Sequence, residues 1–306
     1  MKVFAAYYNN PIRVNASSGG LFPCIAQHFL KMGGVVYGVS MSNDFAFAEY
    51  KRITDESDLK QIIGSKYLQV TVNNVFLTVK EDLENNLDVF FVGTPCIING
   101  LILYLGKRYS NLFTADIVCH GVPSEILWEK YIEGKTIENV NFRSKKYGWI
   151  NYGIQINNKF THRDEDTFMR FFRSDLCLRP SCYNCIPKQN KHSDITLGDF
   201  WGIDEINSSF DDDKGASLLI IRTKKGEELF SEIKEELNYF ECTYDAAVKN
   251  NPSEYRSSIM PSERELFIAD INKCNLSLLE RRYLKKSSLQ EKIKRRIKKA
   301  LQYFNY

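Results

Sequence analysis

Leu87-Asp88-Val89-Phe90-Phe91-Val92-Gly93-Thr94-Pro95-Cys96 is the stretch that decides how this chain folds. Its first six residues form a nearly unbroken apolar run, the pattern of a strand buried on both faces. Gly93-Thr94-Pro95-Cys96 reads as a sharp loop, and Ile97 to Leu105 as an apolar helix. Leu112-Phe113-Thr114-Ala115-Asp116-Ile117-Val118 is a second strand, and it ends in Cys119-His120-Gly121-Val122-Pro123. Strand, crossover helix and strand make a βαβ unit, whose two strands must run parallel. Cys96 and Cys119 then both lie just beyond the carboxyl ends of parallel strands, where open α/β sheets place their sites.

Upstream, Lys2 to Tyr8 reads as a strand, and Asn15-Ala16-Ser17-Ser18-Gly19-Gly20 runs into the periodic apolar segment from Leu21 to Leu30. Small hydroxyl and glycine residues at a helix start can leave backbone N–H groups open to an anion. They are also what an ordinary serine N-cap looks like, and this stretch alone favours the cap. Val35 to Val39 is a short strand with Phe45 to Ile53 as its antiparallel neighbour. Gly64-Ser65-Lys66-Tyr67 is a second glycine and hydroxyl loop. Its lysine suits a pyrophosphate and its tyrosine a stacked ring, although both residues are also common on surfaces. Val75 to Asn85 reads as the helix that leads into the βαβ unit.

Downstream of that unit, Ser124 to Glu133 reads as a helix, and Asn139 to Arg143 with Trp149 to Ile156 as an antiparallel pair. Asp164 to Arg173 has the spacing of an amphipathic helix with Phe168, Phe171 and Phe172 inward. Ser193 to Gly202 and Ala216 to Arg222 are strands, Lys225 to Leu237 a helix, and the chain from about Tyr244 onward is helical. The expected class is α/β: a mixed sheet with a parallel βαβ unit at its centre, plus accessory C-terminal helices.

With 306 residues the chain can bury a core that needs no covalent staples. Its eight cysteines show no regular disulfide-like spacing, and the N-terminus lacks the apolar run of a signal peptide. A reducing cytoplasm is the expected setting, and no apolar stretch approaches the ~18 residues that span a bilayer. The net charge of +3 hides an asymmetry, because the segment from Arg281 carries ten Lys or Arg and one acid, Glu291. The remainder is acidic, which speaks against general nucleic-acid binding. Within residues 285–306, Leu289, Ile293, Ile297, Leu301 and Phe304 share one helical face among Lys and Arg. Such a helix can lie peripherally on an anionic membrane, dock on an acidic partner, or pack on the body of the protein.

Pro180-Ser181-Cys182-Tyr183-Asn184-Cys185-Ile186-Pro187 is a proline-bracketed pair of thiols. With Cys96 and Cys119 it makes four, which is what a 4Fe-4S cluster needs and also what a structural zinc needs. A thioredoxin-like pair is a third reading, disfavoured because the motif does not open a helix after a first strand.

The ordered motifs Ala16 to Gly20, Gly33 to Gly38, Gly64 to Tyr67, Gly93 to Cys96, Cys119 to Pro123, Arg179 to Cys185 and Asp194 to Gly202 carry a resemblance. Over about residues 4–250 the chain resembles the beta subunit family of coenzyme F420 hydrogenase and dehydrogenase. The resemblance implies an FAD-binding α/β protein with a 4Fe-4S cluster beside the flavin, passing electrons among cluster, flavin and a hydride acceptor or donor. Carried over by position, Cys96, Cys119, Cys182 and Cys185 resemble the cluster ligands. Ser17, Ser18, Gly19 and Gly20, then Gly64, Ser65, Lys66 and Tyr67, and then Thr94, Thr196, Gly198 and Asp199 resemble the flavin-lining positions. It also implies an N-terminal part over 1–85, a four-cysteine part over 86–243 and a helical extension over 244–306.

Two departures stand out. Many bacterial relatives carry a ferredoxin-like cysteine-rich segment before the first strand, and here the chain starts at Met1. An external ferredoxin-like carrier or redox subunit is therefore expected to deliver electrons. Ile97 stands where the family tends to have glutamine. Relatives without deazaflavin chemistry often belong to bacterial surface-polysaccharide systems. A second reading is a non-catalytic module, stabilised by zinc or a cluster and recruited through its basic C-terminal helix.

Overall fold

The computed structural model describes residues 1–284. Twelve strands run in chain order: β1 (Lys2–Tyr8), β2 (Val35–Met41), β3 (Ala48–Ile53), β4 (Val70–Thr71), β5 (Val89–Gly93), β6 (Leu112–Ile117), β7 (Val140–Ser144), β8 (Gly153–Ile156), β9 (Lys159–His162), β10 (Ile195–Asp199), β11 (Ser217–Ile221) and β12 (Leu237–Glu241). The α-helices of the first half are α1 (Leu21–Lys31), α2 (Leu59–Ile62), α3 (Val75–Glu84), α4 (Pro95–Leu105) and α5 (Glu125–Ile132). Those of the second half are α6 (Thr167–Arg173), α7 (Ile186–Gln189), α8 (Ile203–Ile206), α9 (Lys224–Ile233), α10 (Tyr244–Val248), α11 (Arg264–Ile271) and α12 (Leu276–Tyr283).

Nine strands form one mixed sheet in the order β12-β1-β11-β10-β6-β5-β2-β3-β4, and β7, β8 and β9 form a separate antiparallel sheet. The four central strands β10, β6, β5 and β2 are mutually parallel, as the βαβ reading requires. Gly93 at the end of β5 lies opposite Asp116 near the end of β6, so the two strands deliver their chains to the same edge. The crossover helix α4 begins earlier than expected. Thr94 is its extended N-cap and Pro95 its first residue, so Cys96 already stands on the first helical turn. Proline suits that position, because its fixed φ is helical and its missing N–H has no intrahelical partner to lose.

Both faces of the parallel strands are covered. Phe90 and Phe113 pack with Leu21 and Ile25 of α1, whereas Phe91 packs with Val79 of α3 and with Ile98 and Leu101 of α4. Adjacent residues of β5 thus face opposite layers, which is why its run is apolar without alternation. The smaller sheet joins α5 and α6 in another cluster, with Trp128, Phe142 and Phe168 fully buried and in ring contact.

Three strands depart from expectation, the shortest being the two-residue β4, which pairs parallel with β3. The helix expected to reach Leu237 stops at Ile233, and Leu237–Glu241 turns back as β12 to pair antiparallel with β1 at the edge. The unanticipated β9 pairs with β8. Of β9 and β12, the latter buries only Leu237 and the former buries no residue fully, so they carry little of the apolar period by which strands are recognised. Among the described residues, no helix is long and apolar enough to cross a membrane. The basic amphipathic helix expected over 285–306 lies outside the described residues.

Phe90 has no exposed surface and stacks against Phe29 with ring centroids 5.3 Å apart. Phe90→Ala should cost about 3–5 kcal/mol. Chemical denaturation checks this as a lowered midpoint at unchanged slope. Leu103→Ala, at a side chain 81% exposed, should leave the midpoint where it is.

Candidate functional site

A cavity of about 500 Å³ opens at the carboxyl edge of the parallel strands. Its first wall is the loop between β1 and α1. Gly20 is the N-cap of α1, with φ at +84°, and no side chain caps the helix. The serine N-cap expected from sequence is therefore corrected: the two hydroxyls are used elsewhere. Ser17 Oγ accepts from the Ser65 N–H at 2.7 Å and from the Ser65 hydroxyl at 2.9 Å, while the Ser18 hydroxyl donates to Ala216 O at 2.7 Å. Gly19 packs beneath, its N–H on Ser217 Oγ, and a Cβ there would lie 2.6 Å from Ala6 O. The glycines let the loop press against β1 and β11, and the serines tie it to the second glycine loop.

Gly64, Ser65, Lys66 and Tyr67 of that second loop line the cavity, as do Thr94 and Cys96 at the start of α4. Cys119 and His120 after β6, and Gly198 and Asp199 at the end of β10, complete this part of the wall. Thr196 does not reach it. It is fully buried, and its Oγ1 accepts from Arg222 Nε at 2.7 Å.

The sequence reading missed what holds these walls together. Arg143 comes from β7 of the smaller sheet and is 4% exposed. Its two terminal nitrogens donate to the two carboxylate oxygens of Asp199 at 2.8 and 2.9 Å, and also to Tyr67 Oη and Ser17 O. Its guanidinium lies 3.9 Å from the Tyr152 ring centre. Burial alone would lower its pKa, but the Asp199 charge together with Tyr67 and Tyr152 outweighs that and holds it above the ordinary range. Lys145, two residues on, donates to Ser18 O at 2.6 Å, Lys214 O at 2.6 Å and Arg13 O at 3.0 Å. Burial pulls its ammonium down to about 7. The only signal for either residue in the sequence is a base within or beside a strand, which is too common to single out.

Lys66 keeps some exposure through the cavity, but the protein packed around its ammonium pulls it down to about 7. It donates to Ile63 O at 2.9 Å and Gln61 O at 3.4 Å, which leaves one N–H free of those carbonyls. Among the described residues the cavity is lined by Lys66, Arg143, Arg173 and Arg179 against one acid, Asp199, which Arg143 already neutralises, while Arg173 is paired with Asp164. The space is electropositive and suited to an anionic ligand.

Two of the four thiols, Cys96 and Cys119, line the cavity. Cys96 is exposed, with Thr94 Oγ1 3.1 Å from its sulfur. Cys182 lies within the short 3-10 turn Pro180–Asn184 and Cys185 just after it; neither lines the cavity. The Val122 N–H donates to Cys182 Sγ at 3.4 Å, and the Cys185 N–H donates to Ser257 Oγ at 2.8 Å. Burial pushes the Cys119 thiol up to about 12, and Cys96, Cys182 and Cys185 add to the rise. Burial also raises Cys185, again with Cys96 and Cys182 contributing. The four thiols are thus electrostatic neighbours. Among the described residues, no group of three or more His, Cys, Asp or Glu side chains is gathered into a metal site. As a donor set, four thiols, one of them already accepting a backbone N–H, fit a soft metal or an iron–sulfur cluster. The other cysteines stand apart: Cys24, Cys177 and Cys274 are core residues, and Cys242 lies against Val3 O.

In overall shape the protein is similar to a chain from a structure of the F420-reducing [NiFe] hydrogenase complex of Methanosarcina barkeri obtained with xenon derivatization. The TM-score is 0.57, with 16% identity over 92% of each chain. At that identity the likeness speaks to the fold. No curated protein matches the chain. Residues 87–244 match the family model for the C terminus of the coenzyme F420 hydrogenase/dehydrogenase beta subunit, and residues 3–76 match the model for its N-terminal part. Motif order, sheet topology and these two matches agree: the chain belongs to the coenzyme F420 hydrogenase/dehydrogenase beta subunit family.

Proposed function

We propose that the protein is an iron–sulfur flavoprotein oxidoreductase, with a 4Fe-4S cluster on Cys96, Cys119, Cys182 and Cys185 and FAD in the adjoining cavity. The observation that carries this reading is the cavity itself. One space joins an electropositive wall of glycine and hydroxyl loops to Cys96 and Cys119, with which Cys182 and Cys185 interact electrostatically. Apart from Gly19 and Ser65, whose N–H groups are held by Ser217 and Ser17, the loops Ser17–Gly20 and Gly64–Tyr67 offer backbone amides and the Lys66 ammonium to phosphate oxygens. Tyr67, Tyr152 and Trp201 offer ring faces, and Arg143 with Asp199 keeps that wall rigid. Apolar side chains such as Leu21, Ile62 and Val92 exclude water from the interior. When bound, the flavin supplies the exchange between two-electron hydride chemistry and the one-electron chemistry of a cluster.

Electrons reach such a site from an external ferredoxin-like carrier or redox subunit, in keeping with the similarity to a chain of a hydrogenase complex. A role in bacterial surface-polysaccharide metabolism rests on the resemblance alone. The basic segment 285–306 is the part of the chain suited to an anionic membrane surface or an acidic partner. Co-sedimentation with anionic liposomes, with and without that segment, tests the membrane contact, and equal binding would count against it.

Protein purified without oxygen should be brown, with flavin and about four irons per chain. Colourless protein with stoichiometric zinc would instead support the non-catalytic module. Cys182→Ser should abolish the iron absorbance, whereas Cys242→Ser should retain it, and equal loss from both would refute the ligand assignment.

The lysine gives a pH signature. Its ammonium titrates near 7 in the free cavity, and a phosphate beside it favours the charged form. FAD binding then takes up a proton above that pH, so affinity should be level below about pH 7 and fall as pH rises through it. In fluorescence titrations Lys66→Met should bind about tenfold or more weakly at pH 6.5, as loss of a charged hydrogen bond of ~1.5–3 kcal/mol implies. It should also lose that slope; a variant with the wild-type slope would exclude Lys66 as the phosphate contact.

A further inference from the structure

Behind the thiol edge lies a small set of buried charges that the proposed chemistry leaves unexplained. Lys191 is 3.0 Å from Glu254 and 3.8 Å from Asp116, and Arg222 also pairs with Glu254. Two cations therefore meet two carboxyls. Lys188 is the remainder. It sits on α7, three residues after Cys185, and is only 5% exposed. Its Nζ donates to a neutral backbone carbonyl, Arg256 O, at 3.0 Å, and among the described residues it has no ion-pair partner. A second cavity of about 340 Å³ is lined by Lys188 together with Lys191, Arg222, Tyr244 and Glu254.

Placing an ammonium in the interior is costly unless an opposite charge compensates it. Burial draws the Lys188 ammonium down, and Cys119, Cys185 and Cys182 are the groups that oppose this, so the thiols are the neighbours able to supply such a charge. The turn that presents it is anchored to the same motif, because the Lys188 N–H donates to Cys185 O at 3.2 Å. The lysine is therefore held on the same turn as Cys185. As free thiols the cysteines carry no charge and the lysine is unpaired; as thiolates holding an iron–sulfur cluster they form an anion against which it is paired.

We propose that Lys188 is the counter-charge of the four-cysteine centre and raises its reduction potential. The inference rests on the cluster reading of the four thiols. Reduction adds one electron and makes the centre one unit more negative, so a fixed positive charge nearby stabilises the reduced form more than the oxidised form. Low dielectric around a side chain this deeply buried strengthens the effect. Lys188 touches no substrate; it acts through the centre as a positioning residue of charge.

The test is a reductive titration with dithionite of anaerobically prepared protein, monitored by visible absorbance, with iron measured in the same samples. Lys188→Gln removes the charge while keeping an N–H donor for Arg256 O. It should retain its iron yet change the oxidised-to-reduced ratio at a fixed potential by about tenfold, a shift of 59 mV to more negative values for a one-electron couple. Lys188→Arg should stay at the wild-type potential. Lys188→Met is titrated alongside, so that a folding failure in one neutral variant leaves the other to decide. Brown neutral variants with unmoved potential overturn the inference and leave the cluster reading standing. Loss of iron from Lys188→Arg as well as from the neutral variants makes the residue a packing element, which also overturns it. A colourless wild-type protein overturns the cluster reading, and the inference with it.

Discussion

Everything at the site depends on β5 and β6 being parallel neighbours in register. Gly93 stands opposite Asp116, so both chains leave the sheet at one edge, and the segments that they lead into must share that edge. Thr94 and Pro95 turn the first chain at once into α4, which brings Cys96 up on the first helical turn. The second chain continues through Val118, whose N–H is held by Leu197 O of the next parallel strand, and so delivers Cys119 beside it. A shift by one residue would turn Phe90 and Phe91 to the wrong layers. The core thus enforces the register, and the register enforces the site.

Around that edge the protein concentrates positive charge where water is scarce. Arg143 retains its charge because Asp199 sits against it, and the pair is at once a support for the cavity wall and an electrically neutral unit. Among the described residues Lys66 and Lys145 lack such a partner, and burial draws both toward neutrality. Their hydrogen bonds go to backbone carbonyls: Lys145 fastens the serine loop, while Lys66 bridges the end of α2 to the cavity. An interior of that kind costs stability in the empty protein and recovers it when an anion arrives. The same logic applies to Lys188 behind the thiols, so the two ends of the site share one electrostatic design.

The parts legible in sequence are those with local periodicity or unusual chemistry. The apolar run of β5, the proline and cysteine after it, and the Cys182 and Cys185 pair each announce themselves within ten residues of chain. The glycine and hydroxyl loops are legible as loops, but Ser17 and Ser18 pass for helix caps because their partners, Ser65 and Ala216, are distant in sequence. Arg143 is not legible at all: its role exists only once the smaller sheet folds over the cavity and brings Asp199 from 56 residues away. Edge strands β9 and β12 escape for the opposite reason, since little of either is buried and so little of either is patterned.

The cofactor-bearing reading gains force from a comparison of the cysteines with one another. Cys24, Cys177 and Cys274 are buried in apolar clusters, where a small apolar side chain is sufficient reason for them. Cys96 is exposed, and Cys119, Cys182 and Cys185 are half-buried beside polar backbone and a lysine, where packing supplies no such reason. An exposed thiol is a liability in a folded protein, and three half-buried ones in the same region add to it. A bound centre resolves both difficulties at once, because coordination removes the reactive electron pairs and balances the thiolate charges. The arrangement therefore makes physical sense as a loaded site and little sense as a bare one.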